Sequence, residues 1–214
     1  MSDGSKIRKP SLPDQGQVLQ GYRKGVRPQG QSVNNSGVEM PRDASRQITY
    51  SIRDVCRSDV ISLLDAIPHA GEDFSLEWLL EHQAAGEVTY IAAWGAGTPV
   101  GQGVILWDGY NIPELREDFP FTPVIRSVEV IENYRGHGIG SAIVNELETR
   151  ARIRGYTHTS LGVLPGNAYA EGLWKYLGYR DWGKGVVVTT TTYERENGKN
   201  LIRMERFLPM RKRL

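Results

Sequence analysis

The sequence predicts a mixed α/β domain that follows an unstructured tail. Residues 1–45 are rich in glycine, proline, serine and glutamine, and their few apolar residues show no helical or strand period, so we expect this segment to be disordered. From about Gln47 onward, segments that alternate apolar and polar residues are interspersed with segments whose apolar residues recur three and four apart. These patterns are typical of half-buried strands and amphipathic helices. They predict one mixed domain over residues 46–210 and a short basic end at 211–214.

The first half of the domain contains a strand, two helices and a hairpin. The alternating run 48–55 predicts the strand, and Ser58 is a suitable cap for a short helix that follows. A second helix is expected at 75–85. Two apolar runs separated by Gly95-Ala96-Gly97-Thr98 indicate a hairpin of strands 88–94 and 100–107, and a loop rich in acidic, aromatic and proline residues follows at 108–123.

The second half begins with a strand that runs into a glycine-rich turn. The later elements are a strand at 124–130, a helix from Ile139 that Gly155 ends, a strand at 159–163, a helix at 168–176 that Gly178 ends, and a hairpin of 186–193 and 201–208 around Glu196-Asn197-Gly198. The helix from Ile139 is well supported because its apolar residues share one face and its Glu146–Arg150 and Glu148–Arg152 pairs have the favourable i,i+4 order.

Composition excludes several classes of protein. Of the 214 residues, 39% are hydrophobic and 24% charged, with 26 basic against 25 acidic side chains, so nothing indicates a nucleic-acid partner. No run approaches the roughly 20 apolar residues of a membrane helix, and the first residues lack the apolar stretch of a secretory signal, so we expect a cytoplasmic protein without a membrane partner. The single cysteine and four histidines show no metal-ligand spacing, and no metal is expected.

The turn from Arg135 to Ser141 predicts an anion site. Three glycines there lie between a strand and a helix, where free backbone N–H groups and the positive end of the helix dipole converge. Phosphate is the natural ligand for such a turn, and Arg135 adds a charged donor beside it. The turn taken alone leaves open a purely structural role, in which the glycines only allow close packing.

Two phosphate-binding motifs fit this turn poorly. A dinucleotide fold requires G-x-G-x-x-G, whereas Gly136, Gly138 and Gly140 give G-x-G-x-G, and no acidic residue ends the next strand. A nucleoside triphosphatase requires Gly-Lys-Ser/Thr after its loop, and the sequence has none.

A third possibility comes from two motifs in sequence order. Arg135, Gly138 and Gly140 fill the fixed positions of Q/R-x-x-G-x-G/A, and residues 167–179 (NAYAEGLWKYLGY) are similar to N-x-x-A-x-x-L-Y-x-x-x-G-F. Together they resemble the acetyl-CoA signatures of the GNAT superfamily of N-acetyltransferases. The resemblance extends over about residues 48–208 and does not include the tail.

The resemblance implies a GNAT-like α/β (α+β) fold and acetyl-CoA as the acetyl donor. Its central sheet would be mixed, mostly antiparallel and flanked by helices, with a split between the strand before the turn and the next strand. The pantetheine arm would lie in that split, bonded to main-chain groups, and the turn would hold the pyrophosphate. The implied cofactor-binding residues are Val128, Val130, Arg135, Gly136, His137, Gly138, Ile139, Gly140, Ser141 and Asn167.

The catalytic groups are less well defined by the resemblance. The tyrosine that usually protonates the leaving thiolate is replaced by Trp174, whose indole has no proton to give, so Tyr169, Tyr176 or no acid at all would serve. Glu129 is the candidate base or amine-binding carboxylate, and its alternative is a solvent-facing strand residue. His137 is expected to neighbour the phosphate rather than to catalyse.

The expected function is acetyl transfer to a primary amine of a small molecule in a ternary complex. The resemblance assigns acceptor choice to residues 65–86 and 108–123, and the acidic residues of the second segment suit a cationic amine: Asp108, Glu114, Glu117 and Asp118. Acetylation of a protein lysine or N-terminus is an alternative. Relatives that acetylate N-termini carry a glutamate where this chain has Gly162. A CoA-binding module without turnover is a further alternative, and a homodimer is left open.

Overall fold

A computed structural model describes residues 48–194 and 200–214, and its centre is a mixed sheet. Within these residues the sheet has eight strands, in the order β1-β2-β3-β4-β5-β8-β6, with β7 paired to β8. The strands are β1 (Ser51–Asp54), β2 (Val88–Gly95), β3 (Thr98–Leu106), β4 (Val124–Val130), β5 (His158–Val163), β6 (Arg180–Asp181), β7 (Val187–Glu194) and β8 (Asn200–Arg213). The helices are α1 (Val60–Ala66), α2 (Leu76–Ala84), α3 (Pro113–Asp118), α4 (Ile139–Ile153) and α5 (Ala168–Tyr176).

This architecture confirms the predicted fold class. The pairing of β4 with β5 is parallel, and every other pairing in the described residues is antiparallel. β4 and α5 have the bounds expected from sequence. The tail at 1–45 and the turn Glu196-Asn197-Gly198 lie outside the described residues.

Two short elements differ from the sequence expectation. The segment 108–123, expected to be a loop, contains the single-turn helix α3, whose Leu115 is fully buried beside Tyr110 and Phe119. Six residues are too few to display a helical period, and this explains why the pattern did not reveal the helix. Strand β6 has only two residues, which are too few to show the apolar–polar alternation of a strand.

Helices cover both faces of the sheet. Helices α1 and α2 pack on one face, where Leu63, Ile67 and Leu79 join Tyr90 and Val104 in a buried cluster. Helices α4 and α5 pack on the other face around Ile143, Leu147, Leu161 and Trp174. Alternate residues of β4 therefore point toward different helical layers.

Helix α4 lies close to β3 because two glycines face it. A β-carbon at Gly103 would lie 2.6 Å from Cγ2 of Ile143, and one at Gly101 would lie 2.8 Å from the backbone oxygen of Glu129. Both distances are shorter than real β-carbon contacts. Glycine at 103 is therefore required for the approach of α4 to β3, and glycine at 101 for the approach of β3 to β4.

The chain end belongs to the sheet, which corrects the expectation that the domain stops at residue 210. Strand β8 pairs with β5 as far as Arg213, and the Leu214 amide donates to the Thr157 carbonyl at 2.9 Å. Within this short basic end, the Lys212 ammonium donates to the buried Glu148 carboxylate at 2.6 Å.

Glu148 is the centre of a buried polar network. Its Oε1 accepts a hydrogen bond from the Tyr179 hydroxyl at 3.0 Å, and its Oε2, which Lys212 contacts, lies 3.5 Å from Arg152. Burial, together with the Glu148 charge, raises the pKa of Tyr179 well above its usual value. The network joins α4, the segment after α5 and the end of β8.

We expect Lys212→Met to lower the free energy of unfolding by about 2 kcal/mol, because it leaves a buried carboxylate with Arg152 as its remaining cation. Arg213→Met is the matched control, since Arg213 is exposed and also lies in β8. Urea unfolding monitored by circular dichroism measures both. Equal stabilities of the two variants would contradict the structural role assigned to Lys212.

Among residues 48–194 and 200–214, no helix has the length and apolar character needed to cross a bilayer.

Candidate active site

The sheet opens at β4. Strand β4 pairs with β5 only at Val124–Ser160 and Ile125–Leu161, and the two strands then separate. On its other edge β4 carries a bulge, since the register with β3 shifts between Gln102 and Val104. Ser127, at this bulge, has a φ of 50°, a left-handed conformation that is rare for a non-glycine residue. Main-chain groups of β4 beyond Ile125 thus face a gap.

A cleft of about 410 Å³ occupies this gap and continues to the start of α4. All of the cofactor-binding residues predicted from sequence except His137 line it: Val128, Val130, Arg135, Gly136, Gly138, Ile139, Gly140, Ser141 and Asn167. Glu129 and Trp174 also line it. His137 is exposed, and its Nδ1 lies 2.9 Å from the Arg135 carbonyl oxygen.

The glycine turn leaves backbone donors at the mouth of the cleft. Gly136 and Gly138 have φ values of 79° and 78°, and a β-carbon at either would meet nothing within 4 Å. The first α4 hydrogen bond runs from the Ala142 amide to the Gly138 carbonyl, so the amides of residues 139–141 lie in the first turn without helical acceptors. Positive φ, rather than lack of space, is what requires glycine here.

Arg135 stabilises the turn by a hydrogen bond to the preceding strand. Its Nε donates to the Val130 carbonyl oxygen at 2.9 Å and thereby joins the turn to the end of β4. The guanidinium remains exposed at the lip of the cleft, where it adds positive charge beside the free amides.

Glu129 lies in a hydrogen-bonded chain at the other end of the cleft. One oxygen accepts from Nδ1 of His69 at 2.7 Å, and the other lies 3.5 Å from the Gln102 amide nitrogen. The amide oxygen of Gln102 accepts a hydrogen bond from the Tyr90 hydroxyl at 2.7 Å. The Glu129 side chain is only 14% exposed. Glu129 therefore lies on the wall of the cleft and is not the solvent-facing strand residue of the alternative.

His69 is the residue that sequence reasoning missed. It lies in the α1–α2 loop, residues 67–75, and no periodicity or motif marks it. The hydrogen bond to Glu129 raises the pKa of His69, and burial opposes this effect. The only available signal was its position within residues 65–86, the segment expected to choose the acceptor.

The same loop supplies two carboxylates to the cleft. Glu72 and Asp73 line it, and Asp73 accepts a hydrogen bond from the Ser127 hydroxyl at 2.6 Å. The acidic residues expected in this role lie elsewhere: Asp108 is beside Arg116, and Asp118 binds Lys184. Neither these two nor Glu114 and Glu117 line the cleft. Charge along the sequence indicated an acidic rim, but the chain fold places that rim away from the opening.

Helix α5 forms the wall opposite β4. Asn167 caps it by accepting a hydrogen bond from the Ala170 amide at 3.1 Å. Trp174 is buried and its Nε1 has no hydrogen-bond acceptor within the described residues. Of the two tyrosines considered as acids, Tyr169 lines the cleft and Tyr176 does not. Near by, a β-carbon at Gly162 would lie 2.7 Å from the Phe207 ring, which fills the space beside β5.

Comparison with known proteins identifies the family. The family model described as "Acetyltransferase (GNAT) family" matches residues 54–179, which is more than half of the chain. The chain belongs to this family. It is therefore an acyltransferase that depends on acetyl-CoA, and the resemblance noted in the sequence is confirmed.

Solved GNAT structures share the fold. A ribosomal-protein-alanine N-acetyltransferase from Brucella melitensis is 25% identical, with a TM-score of 0.56, and the match covers 77% of this chain and 99% of that one. The PaiA N-acetyltransferase from Thermoplasma acidophilum, solved with coenzyme A, is 13% identical with a TM-score of 0.55, covering 78% and 100%. The ribosomal-protein-S18-alanine N-acetyltransferase from Escherichia coli is 16% identical with a TM-score of 0.50, covering 77% and 94%. No curated protein sequence matches significantly.

Within the described residues, no three or more histidine, cysteine, aspartate or glutamate side chains are arranged to hold a metal ion.

We expect Gly138→Asp to weaken acetyl-CoA binding by at least about tenfold, because it places a negative charge and a disfavoured φ at a phosphate seat. Gly155→Asp is the matched control. Gly155 follows the opposite end of α4, has a φ of 85° and is equally open. Isothermal titration calorimetry compares the two, and unchanged affinity for Gly138→Asp would contradict the assignment of the turn.

Proposed function

We propose that this GNAT protein transfers the acetyl group of acetyl-CoA to the primary amine of a small cationic molecule. The observation that carries the proposal is the acidic acceptor end of the cleft, where Glu72, Asp73 and Glu129 surround a single histidine. A protonated amine is attracted to such a cluster. The cleft of about 410 Å³ must also hold part of the donor, and the remaining space suits a small acceptor.

The donor is proposed to lie along the unpaired edge of β4. Main-chain groups of Val128 and the Val130 amide are then proposed to bind the pantetheine arm, as an added strand would be bound, while the Val130 carbonyl accepts from Arg135. The amides of residues 139–141 and the Arg135 guanidinium are proposed to receive the pyrophosphate. Asn167 lies on the facing wall, where its capping role leaves its amide nitrogen available to the arm.

Direct transfer follows from having both substrates in one cleft. The amine nitrogen bonds to the acetyl carbon, the carbon–sulfur bond breaks, and the sulfur leaves with the electron pair. The amine must lose its proton before attack, so a base is needed at the acidic end. Trp174 is buried on the cleft wall, and its indole has no proton to release to the leaving thiolate.

Acetylation of a protein N-terminus is the second candidate. It is favoured by the 25% identity to the Brucella ribosomal-protein-alanine N-acetyltransferase over nearly all of that chain. Two features of this chain weigh against it. Gly162 occupies the position where such enzymes were expected to carry a glutamate, and the Phe207 ring leaves no room for a larger side chain. Trp174 also replaces the usual tyrosine.

The decisive experiment follows release of the CoA thiol from acetyl-CoA with polyamines, aminoglycosides, amino acids, aryl amines and short peptides as acceptors. The proposal expects release that depends on small cationic amines. Release confined to peptides that begin with alanine would establish the second candidate instead. Calorimetry of acetyl-CoA in the same preparation provides the control, because absence of release despite donor binding would contradict both candidates for the acceptors tested.

We expect Glu72→Gln to raise KM for a cationic acceptor by about three- to tenfold with little change in kcat, because the variant removes charge from the exposed acceptor end. Glu117→Gln is the control, since Glu117 is also exposed but does not line the cleft. Steady-state kinetics at low salt measures the two KM values. A KM for Glu72→Gln equal to that of the control would contradict an electrostatic contribution to acceptor binding.

A further inference from the structure

We propose that His69 accepts the proton of the acceptor amine and that Glu129 positions His69 for this task. The inference rests on the proposed function, since it assigns a proton route to that reaction. The sequence had suggested Glu129 as the base or the amine-binding carboxylate, whereas here Glu129 positions the base. Nothing in the sequence pattern had indicated His69.

The hydrogen bond between the two side chains defines the imidazole tautomer. A carboxylate accepts but does not donate, so at 2.7 Å the Nδ1 of His69 donates to Oε1 of Glu129. A neutral His69 therefore carries its lone pair on Nε2. This nitrogen makes no hydrogen bond within the described residues, and the His69 side chain is 37% exposed on the wall of the cleft. The basic atom is thus accessible to a ligand in the cleft.

Glu129 is less suited to take the proton itself. Its side chain is 14% exposed, and both oxygens face protein donors, His69 on one side and Gln102 on the other. A carboxylate is also a much weaker base than an amine, whereas an imidazole titrates close to neutral pH. A buried carboxylate that orients an imidazole and stabilises the imidazolium is an established arrangement for general bases.

The loop that carries His69 is fixed at a second point. Asp73, four residues further on, holds the Ser127 hydroxyl at 2.6 Å, so residues 69 and 73 contact β4 on both sides of Val128. These two contacts fix the loop against the strand along which the donor is proposed to bind. His69 is consequently held at the acceptor end of the cleft, beside the strand along which the donor is proposed to bind.

The charges that face His69 all favour its protonated form. Glu129 faces it from β4, Glu72 and Asp73 from its own loop, and these carboxylates raise its pKa against the opposing effect of burial. From β2 and β3, Tyr90 and the neutral Gln102 complete the surroundings of Glu129. A raised pKa means that the base form is lost as pH falls through a value above the ordinary 6.5, so turnover falls there too.

The proton balance is simple. The ammonium form of the acceptor gives one proton to Nε2 of His69, which becomes an imidazolium paired with Glu129. The nitrogen lone pair then forms the bond to the acetyl carbon, the carbon–sulfur bond breaks, and the thiolate leaves with its electron pair. The nitrogen of the new amide loses its second proton to the thiolate or to solvent. The imidazolium finally returns its proton to solvent, and solvent or buffer protonates the thiolate according to pH.

The test is the pH dependence of kcat/KM in the full chain, with one acceptor used throughout so that its own titration is common to all variants. For wild type we expect an acidic limb with its midpoint above pH 6.5. His69→Gln should abolish this limb and lower kcat/KM by about 10²- to 10⁴-fold, the usual contribution of a general base. Glu129→Gln should keep the limb but move it to lower pH. Added imidazole should partly restore His69→Ala.

Controls separate this role from folding and from donor binding. His158→Gln, a change at a histidine on β5 away from the cleft, should retain wild-type kinetics. Acetyl-CoA affinity by calorimetry should be the same for His69→Gln and wild type. Histidine NMR should show the pKa of His69 falling in Glu129→Gln even without acceptor, which tests the pair independently of turnover.

Three results would overturn the proposal. A limb that survives in His69→Gln but disappears in Glu129→Gln would make Glu129 the base. A His69→Gln variant within twofold of wild type would remove His69 from the reaction. An unchanged His69 titration in Glu129→Gln would show that the pair does not control the imidazole. Absence of thiol release by wild type with every acceptor contradicts the proposed function itself, and the NMR titration then still reports on the pair.

Discussion

The separation of β4 from β5 is the constraint on which the whole site depends. After two paired residues the strands part, and the bulge at Ser127 turns the side chains of β4 so that Val128 and Val130 face α4 while Glu129 faces the α1–α2 layer. One short strand therefore serves both substrates. Its free main-chain edge is available to the donor, and one side chain reaches toward the acceptor. A regular β4–β5 pairing would close the gap and remove both functions.

The strain at Ser127 is compensated by contacts from the loop between α1 and α2. A left-handed serine in a strand costs of order 1–3 kcal/mol, and such conformations persist only where neighbouring groups hold them. The Asp73 carboxylate binds the serine hydroxyl, and His69 binds Glu129 two residues away. The loop thus supports the distorted strand and supplies the acidic groups of the acceptor end. The same loop residues are therefore proposed to bind the acceptor and to hold the strained strand in place.

Sequence reasoning succeeded where local patterns decide the structure. The strand at Val124–Val130 and the helix at Ala168–Tyr176 were placed to the residue, because alternation, a glycine turn and an asparagine cap are all local signals. His69 was missed because its partner lies 60 residues away and irregular loops carry no period. The acidic segment 108–123 was misassigned for a related reason. Its acidic residues do not line the cleft, and Asp118 pairs with Lys184 instead. These two residues are 66 positions apart, so only the fold shows that they are partners.

The two glycines of β3 have a consequence for how the protein tolerates sequence change. The side chain of Ile143 in α4 lies over their backbone, so the distance from the sheet to this part of α4 is set by main-chain geometry. A β-carbon at Gly103 would push the helix away from the strand, and one at Gly101 would collide with the backbone of β4. Substitutions at these two positions should therefore be poorly tolerated, because they alter the spacing of whole elements rather than one side-chain contact.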